Sequence, residues 1–377
     1  MKYYQILIII IGVICIIYII NNIQKNEKVQ AFQRLCNIDK NKMDLYYDSY
    51  QKIFNDQKMI STLDDYNHQK PPTQFVIPEN KKPSEYTADC YSVLNDLCTL
   101  GNVKKMYIPR MVDSTQGILE NQLLYEKQVS EKLNVKPGGK LLEIGCGCGR
   151  ISHHVSQNTK CQVYGINIDK KQLSDARLFA QKHNTNNVFL FQDLNDTLPF
   201  KDNTFDAIYE FGGFTSFINN YDKVFSEMYR VLKPGGIFFI SDCVLLDNFD
   251  RKNKDHLKLM VHSRMVMAGG VFLHYKYFEQ IAQTAGFKLL ESKGGDPPHL
   301  VPELPLIIKE HEHFNKIETT IHSLSKCKLI PAHMYDLIIR LRTGGNDLVE
   351  MGKQNLLTMD WEFYLKKPDV TRTVSKK

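Results

Sequence analysis

Residues 141–150 read LLEIGCGCGR, and the reading of this stretch decides the fold. An apolar run ends in Glu143 and passes into three glycines at alternate positions, Gly145, Gly147 and Gly149, before RISHHVSQN opens a helical pattern. A strand that turns on glycines into a helix brings backbone N–H groups close to a ligand. A phosphate loop would need Lys-Ser or Lys-Thr after its last glycine, and Arg150-Ile151 stands there instead. The dinucleotide pattern G-x-G-x-x-G also fails, because the third glycine comes one residue early and Arg150 occupies its place. Glu143 narrows the choice: a carboxylate at the strand end repels a pyrophosphate but can face the ammonium of an amino-acid-like ligand. Cys146 and Cys148 bring no partner ligands for a closed tetrahedral metal site, so they read as small loop residues and no metal is expected.

The pattern around the loop extends the reading. Upstream, TQGILENQLLYEKQVSEKLNV sets Ile118, Leu119, Leu123, Val129 and Leu133 at near-helical spacing and stops at Pro137-Gly138-Gly139. Downstream, CQVYGINI, NVFLFQD, FDAIYEFGG and GGIFFISD are short apolar runs set among the helical patterns KKQLSDARLFAQKH and YDKVFSEMYRVL. YKYFEQIAQTAGF and KLLES close the series. This alternation predicts a parallel sheet with helices on both faces, in which ligands sit beyond the carboxyl ends of the strands.

The first residues stand apart from that pattern. Residues 6–20, ILIIIIGVICIIYII, carry no charge. At about 1.5 Å per residue they cover roughly 22 Å, and extension over residues 3–23 reaches the ~30 Å of a hydrocarbon core. No small-x-small cleavage site follows, so residues 1–23 read as an uncleaved single-pass membrane anchor rather than a removed signal peptide. Lys25, Lys28 and Arg34 behind it place the body of the protein in the cytosol. Residues 24–115 read as a juxtamembrane region, helical in VQAFQRLC and MDLYYDSYQKIF and irregular over 61–86, where Pro71, Pro72, Pro78 and Pro83 fall.

Composition bounds the remainder. A chain of 377 residues, 43% hydrophobic and 24% charged, can bury a sizeable core. The net charge of +6 is scattered without a lysine or arginine run, so no nucleic-acid partner is expected. Nine cysteines without a Cys-x-x-Cys pair fit a reducing compartment.

LLEIGCGCG resembles the first motif, E/D-x-G-x-G-x-G, of class I S-adenosylmethionine-dependent methyltransferases. VYGINID resembles that family's second strand end, LFQDLNDTLPFKDNTFDAIY its adenine loop and fourth strand, YRVLKPGGIFFISD the turn into its fifth, and FEQIAQTAGFKLLES its last helix and strand. LENQLLYEKQVSEKLNVKPGGKLLEIGCGCG is similar to the cyclopropane fatty-acid synthase and sterol C-methyltransferase branches. DNFDRKNKDHLKLM, TAGFKLLESKGGD and the closing TMDWEFYLKKP look more like the sterol enzymes. The resemblance implies a seven-stranded, mostly parallel, doubly wound Rossmann-like sheet with helical cap additions. It places the S-adenosylmethionine-binding core at 116–300 and a substrate-side extension with a closing strand at 301–377.

Carried over by residue, it implies that Glu143 and the backbone of Gly145, Cys146 and Gly147, with Gly149 closing the turn, hold the methionine end of the cofactor. Asn167 would face the ribose hydroxyls, with Ile168 beside it and Gln172 as a second ribose or adenine contact. Asp193 would accept from the adenine amino group, with Leu194 supplying its backbone, and Glu210 and Gly212 would border the sulfonium. Glu210, Asp242 and Tyr107 are the candidate catalytic residues. Asp242 could orient a substrate hydroxyl or cap a turn, and Tyr107 and Tyr125 could reach the methyl-transfer site or pack in the core. His262 and His274, in the cap segment, could each be a base.

The pattern departs from both branches after the fourth strand. The sterol enzymes carry E-A-T-C-H there, whereas this chain reads Gly212, Gly213, Phe214, Thr215, Ser216. His153 and His154, at the start of the helix behind the loop, read as one sheet-facing and one solvent-facing side chain. His311-Glu312-His313 lacks the i, i+4 spacing of a zinc helix. The expected activity is methyl transfer to a sterol-like or fatty-acyl-like lipid at a membrane. A soluble small-molecule or protein acceptor, and a cofactor-binding scaffold, are the alternatives.

Overall fold

The computed structural model describes residues 26–38, 93, 95–97, 99, 107–213, 218, 220–267, 272–294 and 304–369. The strands are β1 (Lys140–Ile144), β2 (Gln162–Asn167), β3 (Val188–Phe191), β4 (Phe205–Phe211), β5 (Leu232–Leu245), β6 (Leu273–His274), β7 (Lys288–Lys293) and β8 (Leu357–Lys366). The helices are α1 (Glu27–Cys36), α2 (Ile118–Lys132), α3 (Arg150–Thr159), α4 (Lys170–Lys182), α5 (Tyr221–Val231), α6 (Lys254–Met267), α7 (Tyr275–Thr284), α8 (Leu304–Lys326) and α9 (Ala332–Lys353).

One sheet runs β3-β2-β1-β4-β5-β8-β7. The first five strands are parallel, and β8 lies antiparallel between β5 and β7. Among the described residues the sheet has eight strands rather than the expected seven. The addition is β6, a two-residue parallel pairing with Val244 and Leu245, too short to leave a periodic signal in the sequence. β8, in the segment where a closing strand was expected, lies inside the sheet between β5 and β7.

Alternation along the strands sends side chains to two cores. On one face Leu142, Ile144, Ile208, Phe238, Ile240 and Phe363 meet the apolar stripes of α5 and α7. On α5 that stripe is Tyr221, Val224, Phe225, Met228 and Val231, spaced for a helix, and Asn220 caps its start. On the other face Leu141, Val163, Ala207, Tyr209, Phe239 and Tyr364 meet Tyr125 and Val129 of α2 and Ile151 and Val155 of α3. A third apolar cluster joins Leu35 of α1, Met260 of α6 and Met334, Leu337, Leu341 and Met351 of α9 to Cys243 and Leu245 at the end of β5. This helical lobe packs on the end of β5 and, through Leu357 and Met359, on the start of β8.

The anchor expected at residues 1–23 and most of the region expected at 24–115 lie outside the described residues. Among the described residues no helix is long and apolar enough to cross a membrane.

Candidate functional site

The glycine loop joins β1 to α3 as its sequence requires. Gly145, Gly147 and Gly149 have φ of 68°, 53° and 79°, a region that favours glycine. At Gly149 space adds to conformation, because a Cβ would lie 3.0 Å from the Phe189 ring and 3.1 Å from Ala176. At Gly145 a Cβ would meet nothing within 4 Å, so the loop opens onto free space at the strand end. Glu143, 2% exposed, stands behind that opening. Its Oε2 accepts from the Ser152 hydroxyl of α3 and from the Tyr209 hydroxyl of β4, the latter at 3.1 Å. Burial and the adjacent carboxylate push Tyr209 well above the ordinary tyrosine range, so it stays a donor and fixes the plane of the Glu143 carboxylate. An open glycine cradle backed by an oriented, buried negative charge fits the methionine end of S-adenosylmethionine, whose ammonium needs such a partner. Cys146 contributes shape: its side chain packs with Leu173, Ala176 and Phe189, and its N–H is taken by the Ile166 carbonyl at 3.1 Å. The expected backbone donor at Cys146 is therefore already in use.

Asn167 ends β2. Its Oδ1 accepts from its neighbour Ile168 N at 3.0 Å, and its Nδ2 donates to Gln172 Oε1 at 2.7 Å. Asp169 caps α4 by accepting from Lys171 N and Gln172 N, which brings the Gln172 amide back toward the loop. Gln172 Oε1 comes within 3.9 Å of where a Gly147 Cβ would be. Gln172 Nε2 donates to Asn95 Oδ1 at 3.0 Å, a contact that sequence reasoning missed. Asp193 follows β3, 8% exposed; its Oδ1 accepts from the backbone and side chain of Asn195 at 2.9 and 2.8 Å. The Leu194 side chain lies in the core beside Ile166 and Leu198.

Glu210 lies one residue before the end of β4 and Asp242 three before the end of β5, and each is 2% exposed. Glu210 pairs with Ile240, so Glu210 and Asp242 lie two register steps apart on one face of neighbouring strands, and Trp361 of β8 sits opposite Asp242. Asp242 Oδ1 accepts from Cys243 N at 2.7 Å and Gly213 N at 3.5 Å, so it shapes the turn after β4. Tyr107 lies beside Gly212, its Cβ 3.0 Å from where a glycine Cβ would stand, and its ring centroid is 5.6 Å from that of Phe211. Its hydroxyl turns away and donates to Glu126 Oε1 at 2.7 Å. Burial and Glu126 push that hydroxyl well above its ordinary range, so it stays a donor to Glu126 while the side chain keeps its place beside Gly212. Tyr125 is likewise held, donating to Ser241 Oγ at 3.0 Å.

Behind the loop stands a network the sequence did not disclose. Glu126 of α2, fully buried, takes Arg150 Nη2 at 2.5 Å on Oε1, and Arg150 Nη1 at 3.1 Å and His154 Nδ1 at 2.7 Å on Oε2. Burial alone would raise its pKa, but the hydrogen bonds from His154 and Arg150 outweigh it and hold the carboxyl below the usual range. Arg150 and His154 are one helical turn apart, which was the available signal. His153 points elsewhere and packs on Phe179 and His183. His274 caps α7 through Nδ1 and holds Asp247 through Nε2 at 3.2 Å, so both nitrogens are occupied. His262 Nδ1 lies 2.6 Å from Asp347 Oδ2 between α6 and α9.

Comparison with known proteins agrees with this geometry. A family model described as a methyltransferase domain matches residues 135–328, just over half of the chain. The sterol 24-C-methyltransferase of Saccharomyces cerevisiae is 24% identical over 313 residues, covering 78% of this chain and 81% of that protein. The botryococcene C-methyltransferase of Botryococcus braunii is 25% identical over 329 residues, covering 83% and 84%. A cyclopropane synthase structure from Mycobacterium tuberculosis shares the fold with a TM-score of 0.58 at 16% identity, over 70% of this chain and 90% of that one. A glycine cradle backed by Glu143, the amides of Asn167 and Gln172 at the next strand end and the match over its central half together show that the chain belongs to the methyltransferase domain family, as a class I S-adenosylmethionine-dependent methyltransferase.

Proposed function

We propose that the acceptor is a sterol-like or other isoprenoid lipid and that the methyl group goes to carbon. The observation that carries this is two buried carboxylates on neighbouring strands, Glu210 and Asp242, with an apolar lobe rich in methionine packed on Cys243 and Leu245, next along β5. Methylation of an alkene carbon leaves a cation that must be held and then lose a proton, and a carboxylate in a water-poor site serves both needs. The bound cofactor supplies the electrophilic methyl group, and the protein's work is alignment and exclusion of water. Glu143 would hold the methionine end, Asn167 and Gln172 the ribose, Asp193 the adenine, and Glu210 and Gly212 the reacting side. Residues 6–20 would tether the enzyme where such an acceptor dissolves. The curated relatives named as sterol and botryococcene C-methyltransferases support this acceptor class.

The test incubates the full-length protein with methyl-labelled S-adenosylmethionine and a membrane lipid extract. Label in the non-saponifiable lipid fraction is expected; label confined to polypeptide or water-soluble metabolites refutes the acceptor. Asp242→Asn should slow transfer by roughly a hundredfold or more, the scale of general-base catalysis, with S-adenosylhomocysteine affinity kept.

A further inference from the structure

The amide chain at the ribose end of the site does not stop at the sheet. Gln172 uses one amide atom toward Asn167 and the other toward Asn95, at 2.7 and 3.0 Å, while its Oε1 stands over Gly147. A glutamine amide carries two donors and an acceptor oxygen with two lone pairs, so each group still has capacity for a ligand after these bonds. Asn95 belongs to none of the sheet's elements. It lies in a helical stretch, with Val93, Asp96, Leu97 and Thr99, about 77 positions away in sequence. Its neighbour Asp96, 7% exposed, is gripped by Arg34 of α1: Nε donates to both carboxylate oxygens at 3.0 and 3.1 Å, and Nη2 to Oδ1 at 2.6 Å. This forked, charge-assisted geometry fixes direction as well as distance. α1 is itself seated on the helical lobe, with Leu35 in its core and the Leu35 carbonyl 2.9 Å from His333 Nε2.

We propose that Asn95 is a cofactor-positioning residue: it fixes the Gln172 amide for the ribose hydroxyls, and the Arg34–Asp96 ion pair holds it in place. A glutamine side chain without a fixed partner samples several rotamers and must give them up on binding. Here two partners, one on each amide atom, set the amide plane beforehand. Helix α1 thereby reaches the cofactor site through Arg34, the adjacent residues Asp96 and Asn95, and Gln172. This rests on the reading of Asn167 and Gln172 as the ribose end.

The experiment is calorimetric titration of the full-length protein with S-adenosylhomocysteine and with its 2′,3′-dideoxyribose analogue. Asn95→Ala should bind S-adenosylhomocysteine roughly fivefold more weakly, the scale of one fixed hydrogen bond, and the dideoxy analogue as the parent does. Arg34→Gln should follow it in part, and Asn95→Gln should recover some of the loss. Equal weakening for both ligands, or a fall in melting temperature that accounts for it, would mean a structural role and overturn the proposal. Unchanged affinity in Asn95→Ala while Asn167→Ala and Gln172→Ala lose affinity would overturn it alone. Unchanged affinity in all three would overturn the ribose reading as well.

Discussion

Replacing Glu126 by glutamine keeps the side-chain volume and removes one buried charge. The carboxylate now serves Arg150 through two contacts at 2.5 and 3.1 Å, His154 at 2.7 Å and the Tyr107 hydroxyl at 2.7 Å. The glutamine can still accept from Tyr107, but its amide turns an N–H group toward the guanidinium or the imidazole. Breaking a buried ion pair from one side costs about 3 to 5 kcal/mol. Arg150 keeps 15% of its side chain exposed and can recover some hydration, which puts the expected loss near the lower end, about 3 kcal/mol. The assay is urea denaturation at pH 7, with Arg150→Met and the double variant completing a cycle whose coupling should be about 1 to 3 kcal/mol. The sign with pH follows from the depressed carboxyl. Its contribution is full above the unfolded value of about 4.3 and is lost as pH falls through the lower folded value, so parent and variant should converge at acid pH. A loss below about 1 kcal/mol at pH 7, or strictly additive single variants, would refute the argument that this network holds α2 against the loop.

Glu143→Ala and Asp193→Ala should each weaken S-adenosylhomocysteine binding by about 1 to 3 kcal/mol in calorimetry, and unchanged affinity would displace the cofactor from this loop. Gly149→Val meets Phe189 and Ala176 at 3.0–3.1 Å in a left-handed conformation, so it should lower stability by more than the roughly 1 to 2 kcal/mol of backbone strain alone, read from urea midpoints. His274 is pushed down to about 4, chiefly by burial, with the charges of Lys276 and Arg251 adding to it against Asp247. Its unfolded form takes a proton near 6.5 while the folded form stays neutral, so stability should fall as pH drops from 6.5 toward 4, by at most about 3 kcal/mol. His274→Asn, which keeps a capping oxygen, should flatten that slope in denaturation curves taken between pH 7 and 5.

LLEIGCGCGR specified its own local structure because each feature is a local constraint: an apolar strand, glycines for positive φ, a helix opening behind. The alternation of runs and helices likewise fixed the doubly wound sheet, and with it the strand ends where Glu143, Asn167, Asp193, Glu210 and Asp242 stand. What periodicity could not reach was any contact closed across long sequence separation. β8 enters the sheet between β5 and β7, and β6 adds a pairing two residues long. Asn95 meets Gln172, and Arg110 meets Asp360 at 2.9 Å across 250 positions. Tyr107 read as a core residue more than a methyl-site residue, and its hydroxyl is buried and bonded to Glu126 across 19 positions. The class of sheet and the glycine cradle were legible in the chain because they depend on residues a few positions apart, and the cofactor through the order of motifs that resembles class I methyltransferases. Only the tertiary structure decided which side chains are spent on one another and which face the site. Hydrogen-bond partners and burial belong to packing in three dimensions, and no local pattern encodes them.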